Sequence, residues 1–217
     1  MPKRYVTKVL YKSPGGMPNG LQSTPEGLWV CDQIDPNVMY LLDPATGDSL
    51  KEIPTRCLHG SGITRDPFGR VWVASTFGYE LVAYDVESGK EVAAFPTPPG
   101  DKSGGAHGIE WHDNELWFNV PVTKKIFRMN PENGEITGSI PIPGDRAHGL
   151  AFDDDGKIWM ADTNRQVVFQ LDPDDGRILD AIGVDGPEPH GMTIHNGVFY
   201  LCDAMSREVF TLERLPG

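Results

Sequence analysis

The fold of this chain is decided by a stretch that runs from His148 to Asp162, HGLAFDDDGKIWMAD. Apolar residues alternate with polar or small ones on both sides of a cluster of Asp and Gly at Asp153–Gly156. Such alternation is typical of short strands, and Asp and Gly are strong turn formers. The stretch therefore predicts two antiparallel strands joined by a tight turn.

The same pattern occurs five times along the chain. The glycines that open the copies are spaced by 42, 46, 41 and 42 residues, and an aromatic residue follows each glycine by nine or ten positions. A period of this length, built from short strands, is the signature of a β-propeller blade, and we expect its aromatic residue in the core. The opening pairs are Asn19-Gly20, Ser61-Gly62, His107-Gly108, His148-Gly149 and His190-Gly191, and the aromatic residues are Trp29, Trp72, Trp117, Trp159 and Tyr200.

Each copy has room for four strands, so the sequence predicts an all-β, five-bladed propeller of four-stranded antiparallel blades, forming a single domain over residues 1–217. The fifth copy stops before a fourth strand, while the chain begins with a surplus strand at Tyr5–Tyr11. Pairing that strand with the last blade closes the ring and leaves no edge exposed. In the first copy the strands are predicted near Leu21–Thr24, Gly27–Asp32, Val38–Leu42 and Ser49–Ile53.

The composition narrows the class of protein. The chain has 25 glycines and 19 prolines, and no window carries an amphipathic helix over three turns, so we expect few helices. The net charge of −12 at pH 7 argues against nucleic acid or an anionic membrane as partner, because both favour basic patches.

The N-terminus and the cysteines bear on location. Met1–Arg4 is basic but no apolar run follows it, so the sequence shows neither a signal peptide nor a transmembrane segment. The alternative is that a leader was removed before this chain was made. The cysteines, Cys31, Cys57 and Cys202, are odd in number and lack metal-type spacing. We expect Cys31 and Cys202 to be buried, reduced thiols. Reduced thiols in turn indicate a cytoplasmic location.

Three histidines occupy the same position in consecutive copies. If the first strand of each blade lines the channel, the residue before each opening glycine lies at one end of it, here named the top mouth. Three neutral imidazoles at one point suit a divalent ion and leave open positions for water or substrate. We therefore predict that His107, His148 and His190 hold a divalent metal ion, with Mg, Mn, Zn, Fe and Cu all open. The alternative is that each histidine only hydrogen-bonds neighbouring strands.

Carboxylates and a further histidine are candidate proton-transfer groups at the same mouth. Asp32, Asp162 and Asp203 lie three residues after the repeat aromatic, where the second strand returns to the top. A carboxylate behind a histidine fixes its tautomer, so Asp162 and Asp203 are candidate catalytic or supporting groups. The alternative is that each caps its following loop. His59, in a top linker, is a candidate acid or base.

Substrate contacts are expected from the top linkers and from the loops after the second strands. Arginine there would clamp a carboxylate or phosphate, and the alternative is a solvated loop charge. His112 and His195 belong to bottom turns and are assigned no function. The candidates are Asn19, Tyr79, Arg146 and Arg165, with Lys124 and Glu188 beside them.

The stretch from His148 to Trp159 resembles the repeat of virginiamycin B (streptogramin) lyase-like propellers. The resemblance extends over essentially every blade, and Pro18–Leu21 and Ala161–Thr163 are also similar to motifs of the gluconolactonase group and of NHL repeats. The lyase family opens a cyclic depsipeptide by elimination, with a divalent metal and a histidine base near the channel mouth. The resemblance thus implies a role for His107, His148 and His190. This chain departs from the family in having fewer blades, and in carrying Asp162 and Asp203 where the family tends to have Glu.

Two hypotheses for function follow. The first is a metal-dependent lyase or hydrolase that acts on a small or medium polar substrate, with the ion as Lewis acid or activator of water. In that case Asp162, Asp203 or His59 would move the proton. An oxygen-using iron or copper enzyme is a variant of this hypothesis. The second is a non-catalytic propeller that binds a protein or carbohydrate through its top face. The first is favoured because the ring of residues at the mouth is not uniform.

Overall fold

The computed structural model describes residues 5–98, 104–185 and 188–214 as twenty β-strands in five four-stranded antiparallel sheets. The sheets are the blades of a five-bladed propeller, which confirms the predicted fold class. A single turn of 3-10 helix, Pro121–Thr123, is the one helical element of the described chain. Within these same ranges no helix has the length and apolar character that crossing a membrane requires.

The blades follow one another in chain order. Blade 1 contains β2 Pro18–Thr24, β3 Gly27–Asp32, β4 Val38–Leu42 and β5 Ser49–Pro54. Blade 2 contains β6 Gly60–Arg65, β7 Arg70–Ser75, β8 Glu80–Asp85 and β9 Glu91–Pro96. Blade 3 contains β10 Ile109–His112, β11 Glu115–Val120, β12 Lys125–Met129 and β13 Ile136–Pro141. Blade 4 contains β14 Ala147–Phe152, β15 Ile158–Asp162, β16 Val167–Leu171 and β17 Ile178–Gly183. Blade 5 contains β18 Pro189–His195, β19 Val198–Asp203, β20 Glu208–Arg214 and the N-terminal β1 Tyr5–Lys12.

The ring is closed by the N-terminal strand, as predicted. Strand β1 pairs antiparallel with β20, from Tyr5 opposite Arg214 to Lys12 opposite Glu208, with a bulge after Val9. This pairing supplies the strand that the last repeat lacks and removes the bare edge of β20.

The core lies between neighbouring blades and is built from the repeat aromatics. Trp29, Trp72, Trp117 and Trp159 are all buried. The fifth repeat aromatic, Tyr200, packs against the core cluster between blades 5 and 1 but stays partly exposed, so it lies at the edge of the core and not inside it.

The three cysteines are buried and form no disulfide, as expected for Cys31 and Cys202. Burial raises the pKa of the Cys202 thiol to about 12 and holds that of Cys31 well above its usual value. These thiols are therefore inert packing groups.

The channel is closed at the level of the opening glycines. A Cβ atom at Gly62 would lie 2.2 Å from the carbonyl oxygen of His107, and one at Gly108 would lie 2.0 Å from that of His148. Only glycine allows the first strands to approach so closely. The space enclosed between them is about 10 Å³, barely room for one water molecule. The top mouth and the opposite, bottom mouth are therefore separate sites.

Candidate functional site

The five residues that precede the opening glycines meet at the top mouth. The imidazole centroids of His107 and His148 are 4.4 Å apart, and those of His148 and His190 are 4.3 Å apart. His148 and His190 are buried, whereas His107 is partly exposed. The three histidines form one group, here named the imidazole cluster, which reaches solvent at His107.

Hydrogen bonds fix the tautomers of two of these rings. Thr163 Oγ1 donates to the carbonyl oxygen of Pro189 at 2.9 Å, which leaves the same hydroxyl to accept from Nδ1 of His148 at 3.1 Å. Nε2 of His148 then carries the lone pair and accepts from Nδ1 of His107 at 3.1 Å. The result is a directed chain, the imidazole relay, that runs from His107 through His148 and Thr163 to Pro189. Nε2 of His107 is left as a lone-pair acceptor.

A second relay lies on the other side of the mouth. Thr76 Oγ1 donates to the carbonyl oxygen of Ala106 at 2.7 Å, so its hydroxyl accepts from Ser61 Oγ at 2.6 Å. Ser61 Oγ in turn accepts a hydrogen bond from Nδ2 of Asn19 at 3.0 Å. Asn19 Oδ1 is buried and has no hydrogen-bond partner among the described residues. Because a buried acceptor without a partner is costly, this oxygen marks a position where a bound molecule would donate a hydrogen bond.

His190 has a different environment from the other two histidines. Its Nδ1 donates to the carbonyl oxygen of Glu188 at 2.6 Å, so Nε2 carries the lone pair. Nε2 lies 3.7 Å from the Glu188 carboxylate, whose other oxygen lies 3.5 Å from the guanidinium of Arg146. A carboxylate at this distance favours the protonated imidazole.

Burial lowers the pKa of each histidine in the cluster. The pKa of His107 is lowered to about 3, first by burial and then by His59, His190 and Arg146. Burial, followed by His107 and His190, holds the pKa of His148 well below its usual value. For His190 burial also lowers the pKa, but the carbonyl and the carboxylate of Glu188 oppose it. All three imidazoles are therefore neutral at pH 7.

The metal site predicted from the sequence coincides with the imidazole cluster. Neutral imidazole nitrogens suit a transition metal. Here, however, Nε2 of His148 accepts from His107, so the three lone pairs do not converge on one point. Throughout the described ranges, no group of three or more His, Cys, Asp and Glu side chains is placed to hold a metal ion. The residues therefore do not fit an ion in this conformation.

The two candidate carboxylates accept backbone hydrogen bonds. Asp162 Oδ2 accepts from the backbone N–H of Asp145 at 2.7 Å, and its Oδ1 accepts from that of Arg165 at 3.0 Å. Asp203 Oδ2 accepts from the backbone N–H of Glu188 at 3.0 Å, and its Oδ1 accepts from the turn after its own strand. This pattern favours the loop-capping alternative. Catalytic roles for Asp162 and Asp203 stay predictions.

The candidate cations of the top face are engaged with carboxylates. Arg165 Nη2 and Lys124 Nζ each lie 3.1 Å from a carboxylate oxygen of Asp145, and Arg146 pairs with Glu188. Of these, Arg146 is next to the imidazole cluster. Substrate contacts by Arg146 and Arg165 stay predictions.

Tyr79 and His59 share a left-handed backbone conformation. Their φ angles are 57° and 61°, and the backbone carbonyl of Tyr79 accepts from the N–H of Thr97 at 2.8 Å. The His59 ring stacks on Phe77 with 4.4 Å between centroids, and burial lowers its pKa. Neither residue forms a hydrogen bond to the imidazole cluster, and their predicted roles stay predictions.

Sequence reasoning missed an apolar rim around this polar mouth. Four of the five loops that follow the second strands expose an apolar side chain two residues after the strand ends, and a top linker adds Leu58. The available signal was an apolar residue at the same position in four loops that were predicted to be polar. The apolar rim consists of Ile34, Leu58, Phe77, Val122 and Met205, which are 42%, 57%, 58%, 50% and 60% exposed.

Fold and site together define a class, namely a five-bladed β-propeller with neutral histidines at the mouth of a closed channel. No protein-family model and no curated protein sequence matches the chain. Solved structures do match it in fold. Glutaminyl cyclase from Myxococcus xanthus superposes with a TM-score of 0.80 at 13% identity, covering 98% of each chain.

Two further matches are weaker. A catalytically inactive histidine-to-alanine variant of virginiamycin B lyase from Staphylococcus aureus, with quinupristin, has a TM-score of 0.60 at 21% identity, covering 91% of this chain and 66% of that one. A luciferin-regenerating enzyme has a TM-score of 0.62 at 13% identity, covering 98% and 96%. At 13–21% identity these similarities show the fold alone, a β-propeller, which is the fold that the resemblance read from the repeat implied.

Proposed function

We propose that the top mouth is the active site of a lyase-type or hydrolase-type enzyme in which His190 takes a proton from a small or medium-sized molecule. The observation that carries this proposal is the 3.7 Å separation between Nε2 of His190 and the Glu188 carboxylate. When Nε2 accepts a proton, the carboxylate stabilises the imidazolium, and the bond from Nδ1 to the Glu188 carbonyl keeps the ring oriented. The solved propellers of similar fold include enzymes, which supports a catalytic role.

In this proposal the imidazole relay positions the substrate. His107 stays neutral at pH 7 and presents Nε2 as an acceptor, while His148 fixes the orientation of its ring. Asn19 Oδ1 is a second acceptor on the opposite side of the mouth. The substrate would therefore carry N–H or O–H donors on both sides of the proton that His190 removes.

The apolar rim adds a requirement on the substrate. Phe77 and Met205 are more than half exposed, and they stand beside a mouth whose floor is polar. A molecule with a polar reacting centre and apolar substituents would contact both regions at once, and burying those substituents would contribute binding energy.

A divalent metal ion stays a prediction for this site. It would require the hydrogen bond between His107 and His148 to open, so that Nε2 of His148 becomes available. Elemental analysis of the purified protein, with His148→Ala beside it, tests this directly. About one transition ion per chain, lost in the variant, supports the metal site, and no ion after reconstitution rejects it.

Turnover of a panel of esters, lactones and cyclic depsipeptides tests the catalytic role, and the panel includes quinupristin. We expect His190→Gln to lower kcat/KM by about 10²-fold or more, because a positioned general base typically contributes that much. Glu188→Gln should move the acidic limb of the pH–rate profile to lower pH, because it removes a group that raises the pKa of His190. His195→Gln, an exposed histidine at the bottom face, is the matched control. Full activity of His190→Gln would refute the assignment.

A second candidate function is favoured by the apolar rim alone. An exposed ring of Ile34, Leu58, Phe77, Val122 and Met205 also suits a propeller that binds a partner through its top face without catalysis. Absence of turnover over the whole panel by folded protein, together with capture of a protein or carbohydrate that is lost on Phe77→Ala, would establish this alternative over the enzyme.

A further inference from the structure

Two hollows of the described surface lie on the bottom face, away from the histidines. One, of about 580 Å³, lies between the bottom turns of blades 2 and 3. A neighbouring one, of about 430 Å³, extends toward the bottom mouth of the channel beside Gln22. Trp111 lines both, so the two hollows adjoin at this residue, and together they are here named the groove. Each hollow has the size of a small-molecule site.

The groove is built around an open aromatic shelf. Phe68 is 66% exposed and meets the Trp111 ring edge to face, with 6.0 Å between centroids. Trp111 lies three residues after the opening glycine of blade 3, and Phe152 holds the same repeat position in blade 4. The Phe152 ring, however, is covered by His112, which stacks on it at 3.7 Å. In blade 2 the repeat position of His112 is occupied by Asp66, so no ring from that position stacks on Trp111.

The charges of the groove are already neutralised. The guanidinium of Arg70 contacts the buried carboxylate of Asp66, lies 2.8 Å from the carboxylate of Glu132, and stands over the Phe68 ring at 5.6 Å. An anionic ligand would have to compete with two carboxylates for this cation. The pairing of Arg70 therefore argues against an anionic ligand.

Uncommitted amide groups face the same hollow. Asn114 is exposed at a tight turn and has no side-chain partner among the described residues. Asn130 Oδ1 accepts from the backbone N–H of Glu132, which leaves the Nδ2 donors without a partner in the described chain. The aliphatic side chains that line the two hollows are those of Pro25, Pro67 and Pro131.

We propose that this groove binds a neutral oligosaccharide. The C–H face of a sugar ring packs on an open aromatic face, and planar amide and carboxylate groups hydrogen-bond adjacent hydroxyls. Two hollows on either side of Trp111 provide space for at least two sugar units. This site is independent of the top mouth and of its chemistry.

Titration calorimetry with neutral tetrasaccharides of the cello, manno, xylo, malto and chito series tests the proposal on the whole protein. We expect binding of at least one series, and a loss of affinity of about tenfold or more in both Phe68→Ala and Trp111→Ala. Because Phe68 is exposed, its variant should fold even if Trp111→Ala does not. The matched control is Leu50→Ala, which removes a similarly exposed apolar side chain from the outer strand of blade 1 and should bind the saccharide as the wild type does. His190→Gln should bind it equally well, whatever its effect on catalysis.

Three results would overturn the proposal. The first is no binding of any series at millimolar concentration by folded wild-type protein. The second is binding that survives both aromatic substitutions. The third is tighter binding of an acidic tetragalacturonate than of every neutral series, because Arg70 would then be recognising an anion.

Discussion

The two relays at the top mouth share a frame but differ in chemistry. In both, a threonine one residue beyond the second strand donates to the carbonyl of the residue that precedes the next ring position, Thr76 to Ala106 and Thr163 to Pro189. In blade 2 the threonine accepts a hydrogen bond from a hydroxyl, whereas in blade 4 it accepts one from an imidazole N–H. Hydroxyls and amides do not titrate near neutral pH, and imidazoles do. The repeat thus supplies the scaffold, and the residue before the opening glycine decides whether that half of the mouth can bind and release a proton.

The largest expected effect is a pH-dependent loss of stability that the imidazole relay contributes and the relay from Asn19 to Ala106 does not. His107 has a pKa of about 3 in the folded state against 6.5 when unfolded, so its contribution is present above pH 6.5 and is lost as pH falls toward 3. We expect urea unfolding to show a free-energy loss on the order of a few kcal/mol between pH 7.5 and 4. His107→Gln should flatten this slope, whereas Ser61→Ala should lower stability about equally at both pH values. An unchanged slope in His107→Gln would contradict the assignment.

A comparably large effect of opposite sign is expected from the bottom mouth. Glu110 is buried there, and burial raises its pKa to about 8. The Thr64 hydroxyl lies 2.6 Å from Gln22 Oε1 and 3.1 Å from Glu110 Oε1. Because this hydroxyl has one proton, it can donate to only one of these oxygens. A protonated Glu110 satisfies both contacts, since Thr64 then donates to Gln22 and accepts from Glu110. The folded state then binds more protons than the unfolded state between pH 4.5 and 8, and stability falls as pH rises through that window. Glu110→Gln should be more stable than wild type at pH 8.5 in the same unfolding assay, and a less stable variant would refute a protonated Glu110.

Intermediate effects are expected from matched substitutions of the two threonines. Thr76→Val and Thr163→Val each leave a buried carbonyl without its donor, which costs about 1–3 kcal/mol of unfolding free energy. Only Thr163→Val should change the nitrogen chemical shifts of His148, because only that hydroxyl receives an imidazole N–H. Identical histidine spectra in both variants would show that Thr163 does not set the tautomer.

The smallest effect is expected at the periphery of the same face. Arg165 and Asp145 form an exposed ion pair, with side chains 50% and 58% exposed. Arg165→Ala should change the free energy of unfolding by less than about 1 kcal/mol, because solvent screens such pairs. If Arg165 binds substrate, KM will rise in this variant while stability stays the same.

The sequence predicted the frame of the molecule better than the details of its site. The spacing of the opening glycines predicted the number of blades, and the surplus N-terminal strand predicted the closure by β1. Repeat position also brought His107, His148 and His190 together correctly.

Other features depend on side-chain rotation, which spacing does not encode. Whether Nδ1 of His107 meets Nε2 of His148, or both point at an ion, depends on two ring orientations. Asp162 was a candidate base from its position, yet backbone amides surround its carboxylate. Glu110 was overlooked, although a carboxylic acid two residues after an opening glycine stands where other blades have Gln22, Thr64, Ala151 and Thr193.

The most direct measurement is a pH titration of the imidazole nitrogens by NMR, from pH 8 to 4, on the wild-type protein without added metal. The structure predicts that His107 and His148 remain neutral as Nδ1–H tautomers over this range, and that His190 takes up a proton at a higher pH than either of them. Loss of that order in Glu188→Gln would tie it to the neighbouring carboxylate. If all three rings instead titrate together near pH 6.5, or carry their protons on Nε2, then the relay does not exist and His190 is not the proton acceptor of this site.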